Sequence, residues 1–140
     1  MTLRPGLTSI ALIMALPAIA DEPIGAAVSI ELNAAKTTDG ACTLSFLVKN
    51  GHGAAIDQVV YEAVLFDASG QVDRLTLFDM GALPPARPRV RQFALAGTTC
   101  EALGGILFNG AATCAGAGLP EAACEAGLIL SSRTEIEIKG

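Results

Sequence analysis

The sequence holds no tryptophan, one tyrosine, one histidine and no Cys-x-x-Cys pair in 140 residues. One imidazole without close-spaced thiols does not assemble the tetrahedral ligand set that zinc takes, so no metal is expected. The same scarcity leaves no material for a histidine relay. Ser45, Ser131 and Ser132 have no histidine within motif distance, and the G-x-S-x-G elbow of a hydrolase is missing. Bases are few as well: Lys and Arg number 9 against 14 Asp and Glu, a formal net charge of −5. Phosphate backbones are gripped by clustered Lys and Arg, so nucleic acid is not an expected partner. No cofactor is expected either. Gly104-Gly105, Asn109-Gly110 and Ala115-Gly116-Ala117-Gly118 lack the following Lys and Ser/Thr of a phosphate cradle, and read as flexible loop.

What is present begins with an export leader. Arg4 is followed by the apolar run Leu7–Leu16, then Pro17, then the small-x-small junction Ala18-Ile19-Ala20. This is the pattern of a secretory signal peptide over residues 1–20, with cleavage before Asp21. Its loss removes one Arg and no acid, leaving eight bases and fourteen acids in residues 21–140. The uncharged stretch Ala102–Pro120 carries five glycines with Asn109, Thr113 and Pro120, so it is not a membrane span. The expectation is a soluble protein of the periplasm or exterior, with residues 21–140 as one domain and no transmembrane segment.

All four cysteines, Cys42, Cys100, Cys114 and Cys124, lie after the leader, and an even count in an oxidising compartment reads as two disulfides. The strand pattern chooses among the three connectivities that four cysteines allow. Cys42 opens one strand and Cys100 follows the end of another. If those strands are antiparallel neighbours, the pairs are Cys42–Cys100 and Cys114–Cys124, the second closing an Ala/Gly-rich loop.

The dominant period is two. Val28, Ile30 and Leu32 alternate with polar residues, and so do Cys42, Leu44, Phe46 and Val48. Asn50-Gly51-His52-Gly53 turns the chain. Asp57–Asp67 is apolar on both faces near its end, as in a central strand. Val72–Phe78, Val90–Leu95, Ile106–Phe108 and Leu128–Lys139 complete the set, with Ile136 and Ile138 inward. Leu83-Pro84-Pro85 and Pro88 mark a crossover or edge. Ala111–Glu125 reads as loop, with room for one helical turn at Pro120–Ala123. Seven short strands with turns between them predict an all-β, antiparallel two-sheet sandwich.

Residues Leu44–Leu95 also carry a recognisable pattern: a strand ending in Asn50, a V-x-x-x-x-x-L-F-D-x-x-G-x-V unit from Val59 to Val72, and a Pro-containing approach to Phe93-x-Leu95. This resembles the FxLYD-type and related Ig-like or fibronectin-like modules of exported bacterial proteins. The resemblance implies an Ig-like sandwich used for adhesion, assembly or ligand display, without shared catalytic residues.

The candidate sites are few. His52, between two glycines, is expected to be a solvated turn residue. Asp67, Asp73 and Asp79 lack the register of a calcium loop, and Asp67 before Gly70 is read as turn chemistry. Arg87, Arg89 and Arg91 recur every second residue, so on an extended segment they share one face. They form either a partner-binding edge or a charged guard against edge-to-edge pairing. The function expected is therefore a non-enzymatic periplasmic protein that binds or scaffolds another envelope protein. The alternative is a small hydrolase or inhibitor-like protein acting through carboxylates or the Ala/Gly-rich loop.

Overall fold

The computed structural model describes residues 2, 3, 6, 14, 15 and 25–140. The leader's run at 7–13 and its junction at Ala18-Ile19-Ala20 lie outside the described residues. Eight strands follow: β1 (Val28–Thr38), β2 (Ala41–Asn50), β3 (Ile56–Asp67), β4 (Val72–Leu83), β5 (Arg89–Leu95), β6 (Leu103–Ala115), β7 (Ile129–Ser132) and β8 (Glu137–Lys139). They form two four-stranded sheets, ordered β5-β2-β1-β7 and β4-β3-β6-β8. The period-two burial of the first strands drives this arrangement: Val28, Ile30 and Leu32 of β1 and Leu44, Phe46 and Val48 of β2 are buried, while the residues between them are less so.

The scarce aromatics are concentrated where they matter. Phe46, Phe78, Phe93, Phe108 and Tyr61 meet between the sheets, with ring centroids 4.8 to 6.1 Å apart in tilted or edge-on pairs. The fifth phenylalanine, Phe66, lies on the outer face of the second sheet under the Lys139 ammonium.

Several expectations need correction. Eight strands stand where seven are expected, because Leu128–Lys139 is not one strand. β7 pairs with β1 in the first sheet and β8 with β6 in the second. The break has a local cause. Thr134 N–H donates to Ser132 Oγ and Ile136 N–H donates to Thr134 Oγ1, so these amides leave the ladder for side-chain oxygens. Both added pairings are parallel, so the sandwich is not wholly antiparallel.

The short strand expected at Ile106–Phe108 runs instead from Leu103 to Ala115, because the Ala/Gly-rich sequence pairs along β3 from Asp67 to Gln58. Tertiary pairing overrides its weak strand propensity. Gly104 is therefore not loop slack: a Cβ there would overlap the backbone carbonyl of Asp67. No helical turn forms at Pro120–Ala123, where Ala122 takes φ 56°. β1 extends to Thr38 because Asp39 and Gly40, at φ 53° and 75°, close a two-residue hairpin into β2.

Both disulfides pair as expected, Cys42–Cys100 and Cys114–Cys124, with Cα separations of 4.8 and 6.0 Å. The strand order behind that expectation holds, since β2 and β5 are antiparallel neighbours with Cys42 opposite Leu95. Among the described residues, no helix is long and apolar enough to cross a membrane.

Candidate functional site

One end of the sandwich is organised around Asn50, a fully buried amide at the end of β2. Its Nδ2 donates to Ala54 O at 2.9 Å and Leu83 O at 3.0 Å, and its Oδ1 accepts from His52 N–H at 2.9 Å. Its backbone carbonyl accepts from Ala86 N–H. Every polar arm of the side chain is used, as a buried amide requires. Asn50 thereby fastens the β2–β3 turn to the Pro-rich β4–β5 crossover.

His52 is not solvated, contrary to expectation. It is 6% exposed, and its Nε2 lies 2.7 Å from Ala123 O, which accepts the ring N–H. The next carbonyl, Cys124 O, accepts from the Tyr61 hydroxyl at 2.8 Å. Two buried donors and the Cys114–Cys124 bond thus hold the segment after Ala115 down on the sandwich end. Burial, and then the nearby Glu125 carboxylate, keep the Tyr61 phenol protonated well above its usual range. This clasp uses the one His and the one Tyr of the sequence, on consecutive carbonyls of a segment remote from both. Neither aligns with a motif, so it is invisible to pattern reading.

Beside the clasp lies an open cleft of about 370 Å³ lined by Tyr61, Phe108, Gly110, Glu125 and Leu128. It brings one acidic side chain to its wall, Glu125, whose Oε1 accepts from Ala111 N–H. Asp67, Asp73 and Asp79 do not converge. Asp67 Oδ1 accepts from the Ser69 and Gln71 amides and from Ser69 Oγ, which is the expected turn. The Ser69 hydroxyl first, and the Gln71 amide next, lower its pKa. Among the described residues, no group of three His, Cys, Asp or Glu side chains is placed to hold a metal ion.

The arginine triplet divides. Arg87 precedes β5 and is exposed. Arg89 Nη1 donates to the adjacent Pro88 O. Arg91 shares the inward parity of Phe93 and Leu95 and reaches across to the other sheet, donating from Nε to Met80 O at 2.7 Å and from Nη2 to Ala82 O at 3.0 Å. Arg74 of β4 makes the reciprocal reach, donating to Ala96 O and Thr98 Oγ1, both at 2.9 Å. Two edge strands, β4 and β5, are therefore latched to each other by guanidinium groups, and edge carbonyls of β4 are occupied.

The outer faces of the two sheets differ. On the first sheet, Ser29, Glu31, Ser45, Lys49 and Gln92 share the outer face with three large apolar side chains, Leu47, Val90 and Ile129. On the second sheet, Val72, Leu75 and Leu77 of β4 are 60%, 61% and 58% exposed. Register places Val64 between Leu75 and Leu107, and Phe66 beside Val72. Val60, Val64, Phe66, Val72, Leu75, Leu77 and Leu107 thus share one outer face. This explains why Asp57–Asp67 reads as apolar on both sides: β3 is central in its sheet, yet only its inner side meets the other sheet.

Comparison with protein-family models, with curated proteins and with solved structures found no match to this chain.

Proposed function

We propose that this chain is an exported periplasmic β-sandwich protein, Ig-like in kind and non-enzymatic, that binds or scaffolds another envelope protein. The observation that carries the reading is the outer face of the second sheet. Contiguous exposed apolar area of this kind is uncommon on free-standing domains and is characteristic of docking surfaces. Two disulfides and the absence, among the described residues, of a membrane-crossing helix fit an extracellular or periplasmic location. The resemblance of Leu44–Leu95 to FxLYD-type and Ig-like modules is consistent with display or assembly rather than catalysis. The cleft brings a single acidic side chain, Glu125, to its wall, with no second acidic side chain or imidazole among the described residues that line it.

The test is residue-specific photo-crosslinking in cells that make the protein. A photoreactive side chain at Leu77 is expected to give one discrete adduct, and one at Gln92 on the first sheet none. Equal labelling at both positions, or none at either, overturns the reading.

A further inference from the structure

Among the described residues, acids outnumber bases around the apolar face. Glu62 lies between Leu77 and Gly110 in the register, Asp79 pairs with Val60, and Glu137 pairs with Gly105. By strand parity these three acids project from the same side as Val64 and Leu107, while Asp73, at the bulge between Val72 and Arg74, is paired with the Arg74 guanidinium at 3.7 Å and adds little to the margin. One cation, Lys139, shares the face, drawn over the Phe66 ring at 5.8 Å. Glu62 Oε1 accepts from Asn109 Nδ2, and Asp79 Oδ1 accepts from Gly81 N–H, so both carboxylates are held in place on the face.

We infer that this face takes a basic amphipathic helix of a partner protein, its aliphatic side chains on Leu75, Leu77 and Val64 and its flanking Lys or Arg on Glu62 and Asp79. The inference rests on the docking reading above and adds the chemistry of the occupant. Charge selects against the other candidates. An isologous dimer would bring together two faces on each of which acids outnumber the cation Lys139, which is repulsive on balance. An anionic lipid surface is repelled by the same margin and by the excess of fourteen acids over eight bases in residues 21–140. Strand addition at the Met80–Ala82 end of β4 is obstructed, because Arg91 already occupies those two carbonyls. What the face offers is side chains, and a helix meets them with residues spaced three and four apart.

The probes are two synthetic helical peptides with the same leucine stripe, one flanked by Lys and one by Glu, titrated by fluorescence anisotropy into the exported protein. The Lys peptide is expected to bind at least about tenfold more tightly than the Glu peptide, a difference of roughly 1.4 kcal/mol. E62Q/D79N should weaken it several-fold and flatten its salt dependence, as expected when opposed exposed charges are removed. L75S/L77S should abolish binding while keeping the urea midpoint of the parent, which shows that the fold is intact. Equal affinity for the two peptides, or no effect of E62Q/D79N, overturns the inference. A Leu77 adduct with twice the chain mass, or one whose formation is not suppressed when the Lys peptide is present before irradiation, also overturns it but leaves the docking reading standing. Absence of any adduct removes both.

Discussion

Replacing Tyr61 by Phe isolates the clasp that holds the disulfide loop. The ring would stay where it is, edge-on to Phe108 at 5.6 Å, and only the hydroxyl donor to Cys124 O would go. Tyr61 is fully buried and Cys124 nearly so, so the carbonyl loses its partner away from water. An orphaned buried acceptor costs about 1–3 kcal/mol. For a domain of this size, a loss near 2 kcal/mol lowers the melting temperature by roughly 5–10 °C. The assay is urea unfolding of the oxidised protein, where the midpoint should fall with the slope unchanged. A second arm repeats Y61F in a C114S/C124S background. The bond that is absent there closes a separation of 10 residues, worth about 3 kcal/mol by chain entropy. Once the loop is untethered, the Tyr61 bond must hold a floppier segment, so Y61F should cost less by at least about 0.5 kcal/mol. A Y61F protein within about 0.3 kcal/mol of the parent, inside the usual limit of additivity, would refute the clasp. So would an identical cost in both backgrounds.

Two further outcomes are expected. R91Q should lower stability by about 1–2 kcal/mol in urea, because it removes two charge-assisted bonds to β4 carbonyls, whereas R87Q and R89Q should stay within about 0.5 kcal/mol; equal effects of the three would mean that Arg91 is not the latch. Asp67 has a folded-state pKa below its ordinary value of 3.8, so its contribution is present above that pH and lost as pH falls through the lowered value. The stability gap between parent and D67N should therefore narrow on acidification below about pH 4, and a gap constant from neutral pH into that range would contradict it.

The strands that alternate cleanly were legible in the sequence, and so was the disulfide pairing, since Cys42 and Cys100 mark the facing ends of two neighbouring strands. What escaped reading depends on partners remote in sequence. Ala111–Ala115 has no propensity to recommend it as a strand; β3 makes it one. His52 looks like a turn residue until Ala123, 71 positions later, presents a carbonyl to it. The split of the last strand was closer to hand, in the Ser132 and Thr134 hydroxyls, which compete locally for the amides that a ladder would need. Asp39-Gly40 is the plainest signal passed over, a pair suited to φ > 0 between alternating runs. For the candidate site, the sequence located Arg91 and its parity with the inward Phe93 and Leu95, but not its partners. Only the sandwich brings the Met80 and Ala82 carbonyls of the other sheet to the guanidinium.

The apolar face is not explained by folding. Leu75 and Leu77 touch solvent over more than half their area, so Thr in their place would keep β4 a strand at little cost to stability. Covering Val72, Leu75 and Leu77 completely would recover part of the 1.5–3 kcal/mol that full burial of each side chain brings, roughly 3–5 kcal/mol in all. Association consumes at least about 4 kcal/mol in lost rigid-body freedom before side-chain ordering is counted. Apolar contact at these three residues therefore comes close to cancelling the cost of binding and does not by itself hold a partner. The remainder must come from Val64, Phe66 and Leu107 in the rows behind them and from charges opposite Glu62 and Asp79. For that reason the acidic margin, and not the leucines alone, is expected to decide what this face accepts.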